Sequence, residues 1–166
     1  GVLLDHPSLV LFQSRAAERL GRLTQALGLA TLAESGYRQA EKPGGVAYAM
    51  LQRCQVWLHQ GSAPQAETLA RETLEMIEAT GAPVAYEAHR MLGESLAAQG
   101  RWDEATIALR RALDLCETQG TAYTCASIQS SLAECLNAQG HLREALEAKR
   151  VAVETWRYFE NDGILA

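Results

Sequence analysis

Histidine, cysteine and glutamate are the residues of this 166-residue chain that could support acid–base or metal chemistry, but the sequence scatters them. The four histidines lie far apart, and no His-x-x-x-His pair is present. The chain also lacks a Gly-x-Ser-x-Gly nucleophile motif and a Gly-x-x-x-x-Gly-Lys-Ser/Thr phosphate loop. Acid–base catalysis needs its groups within hydrogen-bonding reach of one substrate. We therefore expect that the chain is not an enzyme and that it has no catalytic residues, no cofactor and no metal site.

The four cysteines are Cys54, Cys116, Cys125 and Cys135. None belongs to a Cys-x-x-Cys pair or has a histidine at ligand spacing, so neither a zinc site nor a redox dithiol is indicated. An even number of cysteines would permit two disulfides, but a helical chain of this size does not need cross-links in order to fold. We expect reduced thiols in a cytoplasmic protein.

The composition favours a folded domain without a nucleic-acid or membrane partner. Apolar residues make up 48% of the chain, enough for a buried core, and the formal net charge is −5. The basic residues are dispersed along the chain, so no basic stripe is available to neutralise nucleic-acid phosphates. A membrane span would require a run of about 18 apolar residues, and the sequence contains none.

A glycine followed five residues later by an alanine occurs four times at nearly constant spacing. The pairs are Gly21/Ala26, Gly61/Ala66, Gly100/Ala105 and Gly140/Ala145. The steps between successive glycines are 40, 39 and 40 residues. Periods of this length indicate stacked supersecondary units.

Apolar residues on both sides of each repeat glycine recur at helical spacing, and no segment alternates with period two. Each glycine can adopt positive φ and end the helix before it. Ser62 and Gln65 resemble a capping box for the next helix, and Gly44 and Gly45 are predicted to form a linker. The eight predicted helices fall at about 7–20 and 22–41, 45–60 and 63–80, 83–99 and 102–119, and 121–139 and 142–160.

Small residues stand seven positions before each repeat glycine, namely Ser14, Cys54, Gly93 and Ala133. We predict that each faces the alanine that follows the glycine, because a bulky side chain at either position would force the paired helices apart. This interpretation gives Cys54 a structural role.

The third unit carries the fullest set of recurring positions, Leu92, Gly93, Leu96, Gly100, Trp102, Ala105 and Ala112. These positions resemble the tetratricopeptide-repeat signature, and the fourth unit follows it closely. The second unit departs from the signature at Thr73, and the first retains few positions. The resemblance implies an all-α fold, a right-handed α-solenoid of about four antiparallel helix pairs. We expect one domain over 1–166, cut from a larger protein, with repeats at about 7–41, 45–80, 83–119 and 121–160.

The long period resembles that of repeats in bacterial regulators, including transcriptional activators, and in kinesin light chains. Thirteen arginines against two lysines are also typical of a GC-rich bacterial genome. In these families the repeats bind or sense other molecules, so the resemblance implies a non-catalytic scaffold that binds a protein or peptide. Two alternatives remain open: an oligomerisation or signal-relay element, and an accessory domain of a multidomain kinase, cyclase or ATPase.

A stack of helix pairs curves into a superhelix with a concave groove. By the family pattern, the groove-facing residues lie 13, 10, 6 and 3 positions before each repeat glycine. Their apolar and acidic character predicts a partner with an apolar anchor and a basic flank, although the charged residues could simply be solvated. The candidate binding residues are Arg15, Tyr48, Leu51, Gln55, Glu87, Arg90, Glu94, Ser130, Glu134 and Asn137.

The last helix carries apolar residues around most of its circumference: Val151, Val153, Trp156, Tyr158 and Phe159, followed by Ile164 and Leu165. Terminal repeats usually need a polar outer face. We therefore expect this helix to dock on a further repeat, another domain or a second copy of the chain. The alternative is that Val153 and Trp156 fill the core of the last pair.

Overall fold

A computed structural model describes residues 6–161 of the chain, and within that range it contains eight helices and no strand. Successive helices form antiparallel pairs, so the predicted all-α solenoid of four pairs is confirmed. The helices are α1 (Pro7–Arg19), α2 (Leu23–Gln39), α3 (Pro43–His59), α4 (Ala63–Thr80), α5 (Ala85–Ala98), α6 (Trp102–Gln119), α7 (Ala122–Ala138) and α8 (Leu142–Asn161).

The odd-numbered helices form the inner layer of the stack. Each helix packs against the next along the chain, and α1, α3, α5 and α7 also contact one another in order. Within residues 6–161 the even-numbered helices have no such contacts with one another, which places them on the outer side. The largest cluster of buried apolar residues runs from Val46 of α3 to Ala145 of α8, and two smaller clusters join α1, α2 and α3.

The repeat glycines end the first helix of each pair in a left-handed conformation. Their φ angles are 72° at Gly21, 76° at Gly61, 74° at Gly100 and 81° at Gly140. The N–H of the residue after each glycine donates to the carbonyl oxygen five residues earlier, for example from Arg101 to Leu96 at 3.0 Å. This bond belongs to the Schellman motif, which satisfies the last carbonyl groups of a helix and reverses the chain. The same turn therefore recurs in every unit.

Two local predictions about helix starts were wrong. Ser62 makes no side-chain capping bond, because at φ −95° and ψ 57° it lacks the extended backbone of an N-cap. The capping box lies instead at Thr121, which is extended and exchanges hydrogen bonds with Thr124. Gly44 and Gly45 are not a linker: they lie in the first turn of α3, which Pro43 begins because proline is well tolerated there.

The prediction that small residues meet within each pair is supported in the first and third units. The hydroxyl of Ser14 is fully buried and donates to the carbonyl oxygen of Ala26 at 2.7 Å. A β carbon on Gly93 would lie 3.2 Å from the carbonyl oxygen of Ala105. Close backbone approach at this position therefore sets the spacing of the two helices.

The expectation that all cysteines are reduced was wrong, since a disulfide joins Cys116 of α6 to Cys125 of α7. The turn at Gly120 brings the two Cα atoms to 5.7 Å, within the range that a disulfide spans. Spacing along the sequence could not indicate this contact between helices. Cys54 and Cys135 are free and buried, and burial raises the pKa of Cys54 to about 12, so its thiol is unreactive at neutral pH.

The aromatic residues of α8 are partly used inside the last pair. Val153, Trp156 and Phe159 are half-buried, and the ring of Phe159 packs edge-on against Tyr123 of α7. Tyr158 and Val151 remain exposed, while Ile164 and Leu165 lie outside the described residues. Among the helices of residues 6–161, none combines the length and the apolar content that crossing a membrane would require.

Candidate functional site

An open concavity of about 430 Å³ lies on the inner layer of the stack. Residues of α1, α3 and α5 form its walls, and Thr124 of α7 completes the lining. We call this cavity the concave site. Five of the ten predicted binding residues line it: Arg15, Tyr48, Leu51, Gln55 and Glu87.

Tyr48, Leu51 and Tyr86 give the concave site an apolar wall. Leu51 is buried, with 4% of its surface exposed, whereas Tyr48 keeps 43% exposed. Burial, together with the neighbouring Glu87 and Tyr48, raises the pKa of the Tyr86 hydroxyl, which therefore stays protonated. Two tyrosines beside a leucine offer flat apolar surface with hydroxyl groups at its edge.

The α1 side of the concave site is basic. Arg15 and Arg19 line it and are exposed, and within residues 6–161 neither forms a hydrogen bond or an ion pair. The nearby Glu18 turns to α3 instead: Gln52 donates to one carboxylate oxygen at 2.5 Å, and the other oxygen, which accepts no hydrogen bond within residues 6–161, lies 2.8 Å from Nδ1 of His59. The two arginines are therefore free to meet an anionic group.

The acidic residues of α5 that face the groove are paired with one arginine of the same helix. Arg90 donates to Glu87 at 2.5 Å and to Glu94 at 2.7 Å, and it also reaches the amide oxygen of Gln55 on α3 at 3.3 Å. Burial opposes the charge of Arg90, but the two carboxylates raise its pKa above its ordinary value. Glu94 also accepts from Ser131 of α7 at 3.0 Å. This network engages both carboxylates of α5 and leaves the three side chains with one net negative charge.

The predicted residues of α7 lie apart from the concave site. Ser130 is buried and accepts a hydrogen bond from Nζ of Lys149 at 2.7 Å, so it contacts α8. Glu134 and Asn137 line a separate groove between α7 and α8. The predicted set is thus divided between two surfaces, with Arg90 and Glu94 forming the polar network between them.

Several residues of the concave site were missed from the sequence. Gln52 and Tyr86 lie outside the four family positions, and Thr124 comes from the start of α7 rather than its middle. Arg19, two residues before Gly21, was missed for the same reason. Tyr48 and Tyr86 could have indicated a shared aromatic surface. Tyr48 lies 13 residues before Gly61 and Tyr86 lies 14 residues before Gly100, so they hold nearly equivalent positions in neighbouring units.

Potential acid–base and metal-binding groups remain dispersed in the folded chain. Within residues 6–161, no three His, Cys, Asp or Glu side chains converge to hold a metal ion. Burial lowers the pKa of His89. The positive charge of Arg111 lowers this pKa further, whereas the negative charge of Glu78 acts to raise it. His89 therefore stays neutral near pH 7, and it lies on the outer surface of α5 and α6 rather than in the concave site.

Two family models match parts of the sequence. Residues 84–157 match one family model described as Tetratricopeptide repeat, and residues 47–72 match a second with the same description. The helix pairs, the recurring glycine turns and these matches agree. The chain belongs to the tetratricopeptide-repeat family. No curated protein matches its sequence.

Solved structures of related architecture share the fold at low sequence identity. The chain is similar to a Rap protein complexed with Competence and Sporulation Factor (TM-score 0.80, 16% identity, 94% of this chain and 43% of that one). It is also similar to Aspartyl phosphate phosphatase F from Bacillus subtilis (0.78, 14%, 96% and 42%). A third similar structure is BtubC (BKLC) from P. vanneervenii (0.73, 16%, 93% and 64%). The chain thus spans less than two thirds of each of these proteins.

Proposed function

We propose that this chain is a non-catalytic scaffold that binds an extended segment of a protein or peptide in the concave site. One observation carries the proposal: apolar side chains, and arginines that pair with no other residue of 6–161, converge from three successive helix pairs on one open cavity of about 430 Å³. A cavity formed by adjacent repeats suits a chain that runs along the inner layer, touching each repeat in turn.

The chemistry of the concave site favours a partner with an apolar or aromatic anchor next to an acidic group. The anchor would pack against Tyr48, Leu51 and Tyr86, and the acidic group would pair with Arg15 and Arg19. This is opposite in sign to the basic flank expected from the sequence, because Arg15 and Arg19 pair with no described residue, whereas Glu87 and Glu94 share the guanidinium of Arg90. The partner's acidic group would therefore lie at the α1 side of its anchor.

We further propose that the chain is the interaction or sensing segment of a larger bacterial regulatory protein. The similar Rap structure, which contains Competence and Sporulation Factor, supports a ligand-sensing use of this fold. The excess of arginine over lysine supports a bacterial source. Catalytic motifs in sequence that adjoins this segment would instead favour a role as an accessory domain of an enzyme.

The binding test is a selection of displayed peptides on the full chain, followed by affinity measurement on the enriched sequences. We expect enriched peptides to combine an aromatic or aliphatic residue with an aspartate or glutamate. The double variant Tyr48→Ala/Leu51→Ala should weaken binding at least about tenfold, as loss of central apolar contacts usually does. Arg15→Glu should weaken the binding of the same peptides and reduce the salt dependence of that binding.

Ile107→Ala provides the matched control, because Ile107 is an apolar residue of α6 with 70% of its surface exposed away from the concave site. This variant should bind as the unmodified protein does. Equal affinity of all variants for the enriched peptides would contradict binding in the concave site.

A further inference from the structure

A disulfide fastens the third helix pair to the fourth. It joins Cys116, in the last turn of α6, to Cys125, in the first turn of α7, across a separation of nine residues. The two cysteines differ in their access to solvent, because Cys116 is only 1% exposed whereas Cys125 is half-buried. A thiol or disulfide from solution therefore meets Cys125 first.

The fold does not need a covalent bond at this kind of junction. Cys116 lies 16 residues after Gly100, and Cys125 lies 15 residues before Gly140. The same two positions at the earlier junctions hold apolar residues, namely Tyr37 and Val46, and Ile77 and Ala85. All four belong to the main apolar cluster or pack against it, and α6 and α7 share that cluster as well. Apolar packing alone closes the earlier junctions, so the disulfide is an addition particular to the third.

The disulfide lies next to a residue of the concave site. Thr124, which precedes Cys125, lines that site. Its Oγ1 lies 3.5 Å from Sγ of Cys116 and also accepts from the backbone N–H of Thr121 at 2.9 Å, within the capping box of α7. One hydroxyl group thus links the cross-link, the start of α7 and the wall of the concave site.

The start of α7 has few other contacts to hold it. Thr121, Ala122 and Tyr123 are exposed. Apart from the capping box, the ring of Tyr123 packs edge-on against Phe159 of α8. Segments with few buried apolar contacts open locally at low cost in free energy. The position of this turn therefore depends strongly on the bond to α6.

We propose that Cys116 and Cys125 form a reversible thiol–disulfide pair that sets the position of Thr124 and, through it, the affinity of the concave site. Two thiol sulfurs cannot stay as close as two bonded ones, so reduction needs space. The α6 side offers none, because Cys116 is buried and a β carbon on Gly120 would already overlap its sulfur. Reduction therefore moves the start of α7, and oxidation holds Thr124 in place for binding.

A low-molecular-weight disulfide such as oxidised glutathione would form the bond in two exchanges. The thiolate of Cys125 attacks one sulfur of the small disulfide, which releases a first small thiolate and leaves a mixed disulfide on the protein. The thiolate of Cys116 then attacks the sulfur of Cys125 and releases the second. Two electrons pass from the protein to the small disulfide, and the two protons lost by the cysteines end on the two small thiols. Reduction by small thiols follows the same steps in reverse.

A redox titration tests the pair without any peptide. The chain is equilibrated in buffers of reduced and oxidised glutathione, trapped by alkylation and analysed by mass spectrometry. We expect the pair to convert between dithiol and disulfide within this series, with helical circular dichroism unchanged. The amides of Thr124 and Cys125, which donate to Thr121, should exchange with solvent faster in the reduced chain, while those of α2 should not change.

Three results of this titration would overturn the proposal. They are a pair that stays in one state throughout the series, a reduced chain that loses its helical signal, and amide exchange at Thr124 and Cys125 that is the same in both states. The second result would show that the bond is needed for folding, as a purely structural disulfide is.

The effect on binding rests on the proposed function and is measured with the selected peptides. The oxidised chain should bind them about fivefold or more tightly than the reduced chain, as typical coupling between two sites does. Cys125→Ser should bind like the reduced chain in both buffers. Cys54→Ala is the matched control: Cys54 is a free, buried cysteine of α3, so this variant should keep the full redox response.

The outcomes for binding and for the cysteine pair are distinguishable. Equal affinity of the oxidised and reduced chains would overturn the coupling to the concave site and leave peptide binding intact. Absence of binding in both states would contradict the proposed function instead, and the titration with amide exchange would still decide whether the pair is reversible and moves α7.

Discussion

The crossing of α5 and α6 leaves no room for a side chain on Gly93. A β carbon there would lie 2.6 Å from Cγ of Leu109 and 3.2 Å from the carbonyl oxygen of Ala105. We predict that Gly93→Ala lowers the free energy of unfolding by about 1–3 kcal/mol, as overpacking of a tight core does. Urea denaturation followed by circular dichroism measures the change.

Gly28→Ala is the matched control for this substitution. Gly28 is also a helical glycine, but a β carbon there would meet no atom within 4 Å. Alanine should leave stability unchanged or raise it by about 0.5–1 kcal/mol, because it favours the helix. Similar stability losses in both variants would show that the close approach at Gly93 is not the cause.

Arg90 shows how far single residues of the site could be predicted. Its place in the groove and its spacing from Glu87 and Glu94 were visible in the sequence, and such spacing favours ion pairs on a helix. Its contact with Gln55, 35 residues away, depends on how α3 and α5 pack. The disulfide between Cys116 and Cys125 was missed for the same reason, since it joins two different helices.

At the scale of elements, Glu67 ties α4 to the turn between α5 and α6. Its carboxylate accepts from Arg71 and Arg101 at 2.8 Å and from Gln99 at 2.7 Å. Burial opposes the charge, yet these hydrogen bonds hold the pKa of Glu67 below its ordinary value. A depressed carboxyl pKa stabilises the fold above the unfolded-state pKa of about 4.3, and that stability is lost as the pH falls.

We predict that Glu67→Gln lowers the free energy of unfolding by about 1 kcal/mol at pH 7, since charged hydrogen bonds become neutral. The difference from the unmodified protein should shrink as the pH falls below about 4, where the carboxylate of the unmodified protein takes up a proton. Denaturant titrations across this pH range measure both effects. Glu75→Gln, at an exposed position of the same helix, should change little. A stability difference that stays constant with pH would contradict the role assigned to the Glu67 charge.

The helices were more predictable than their junctions. The regular glycines and the apolar spacing on either side placed all eight helices to within about two residues, because both signals are local. Ser62 failed as a cap, because the Schellman turn at Gly61 fixes its backbone in a conformation that no sequence motif reveals. The start of α3 at Pro43 was misjudged because Gly44 and Gly45 resemble a linker, although they fit a first turn.

At the scale of the whole molecule, the stack separates two surfaces with different chemistry. The concave site combines Tyr48, Leu51 and Tyr86 with two arginines of α1, while a separate, more apolar groove lies between α7 and α8. The repeat pattern in the sequence predicted the concavity, but not that Glu87 and Glu94 would both pair with Arg90. The net charge of a groove depends on contacts between helices, and the repeat positions shared by a family do not specify those contacts.

The most direct test of the central claim is to map backbone amide resonances while a selected peptide is titrated into the isotope-labelled chain. Because the concave site lies on the inner helices, we expect the largest chemical-shift changes at residues of α1, α3 and α5 around Arg15, Leu51 and Tyr86. Residues of the outer helices, such as Ile107, should change little. Shifts concentrated on α2, α4 and α6, with the inner helices unaffected, would contradict binding in the concave site.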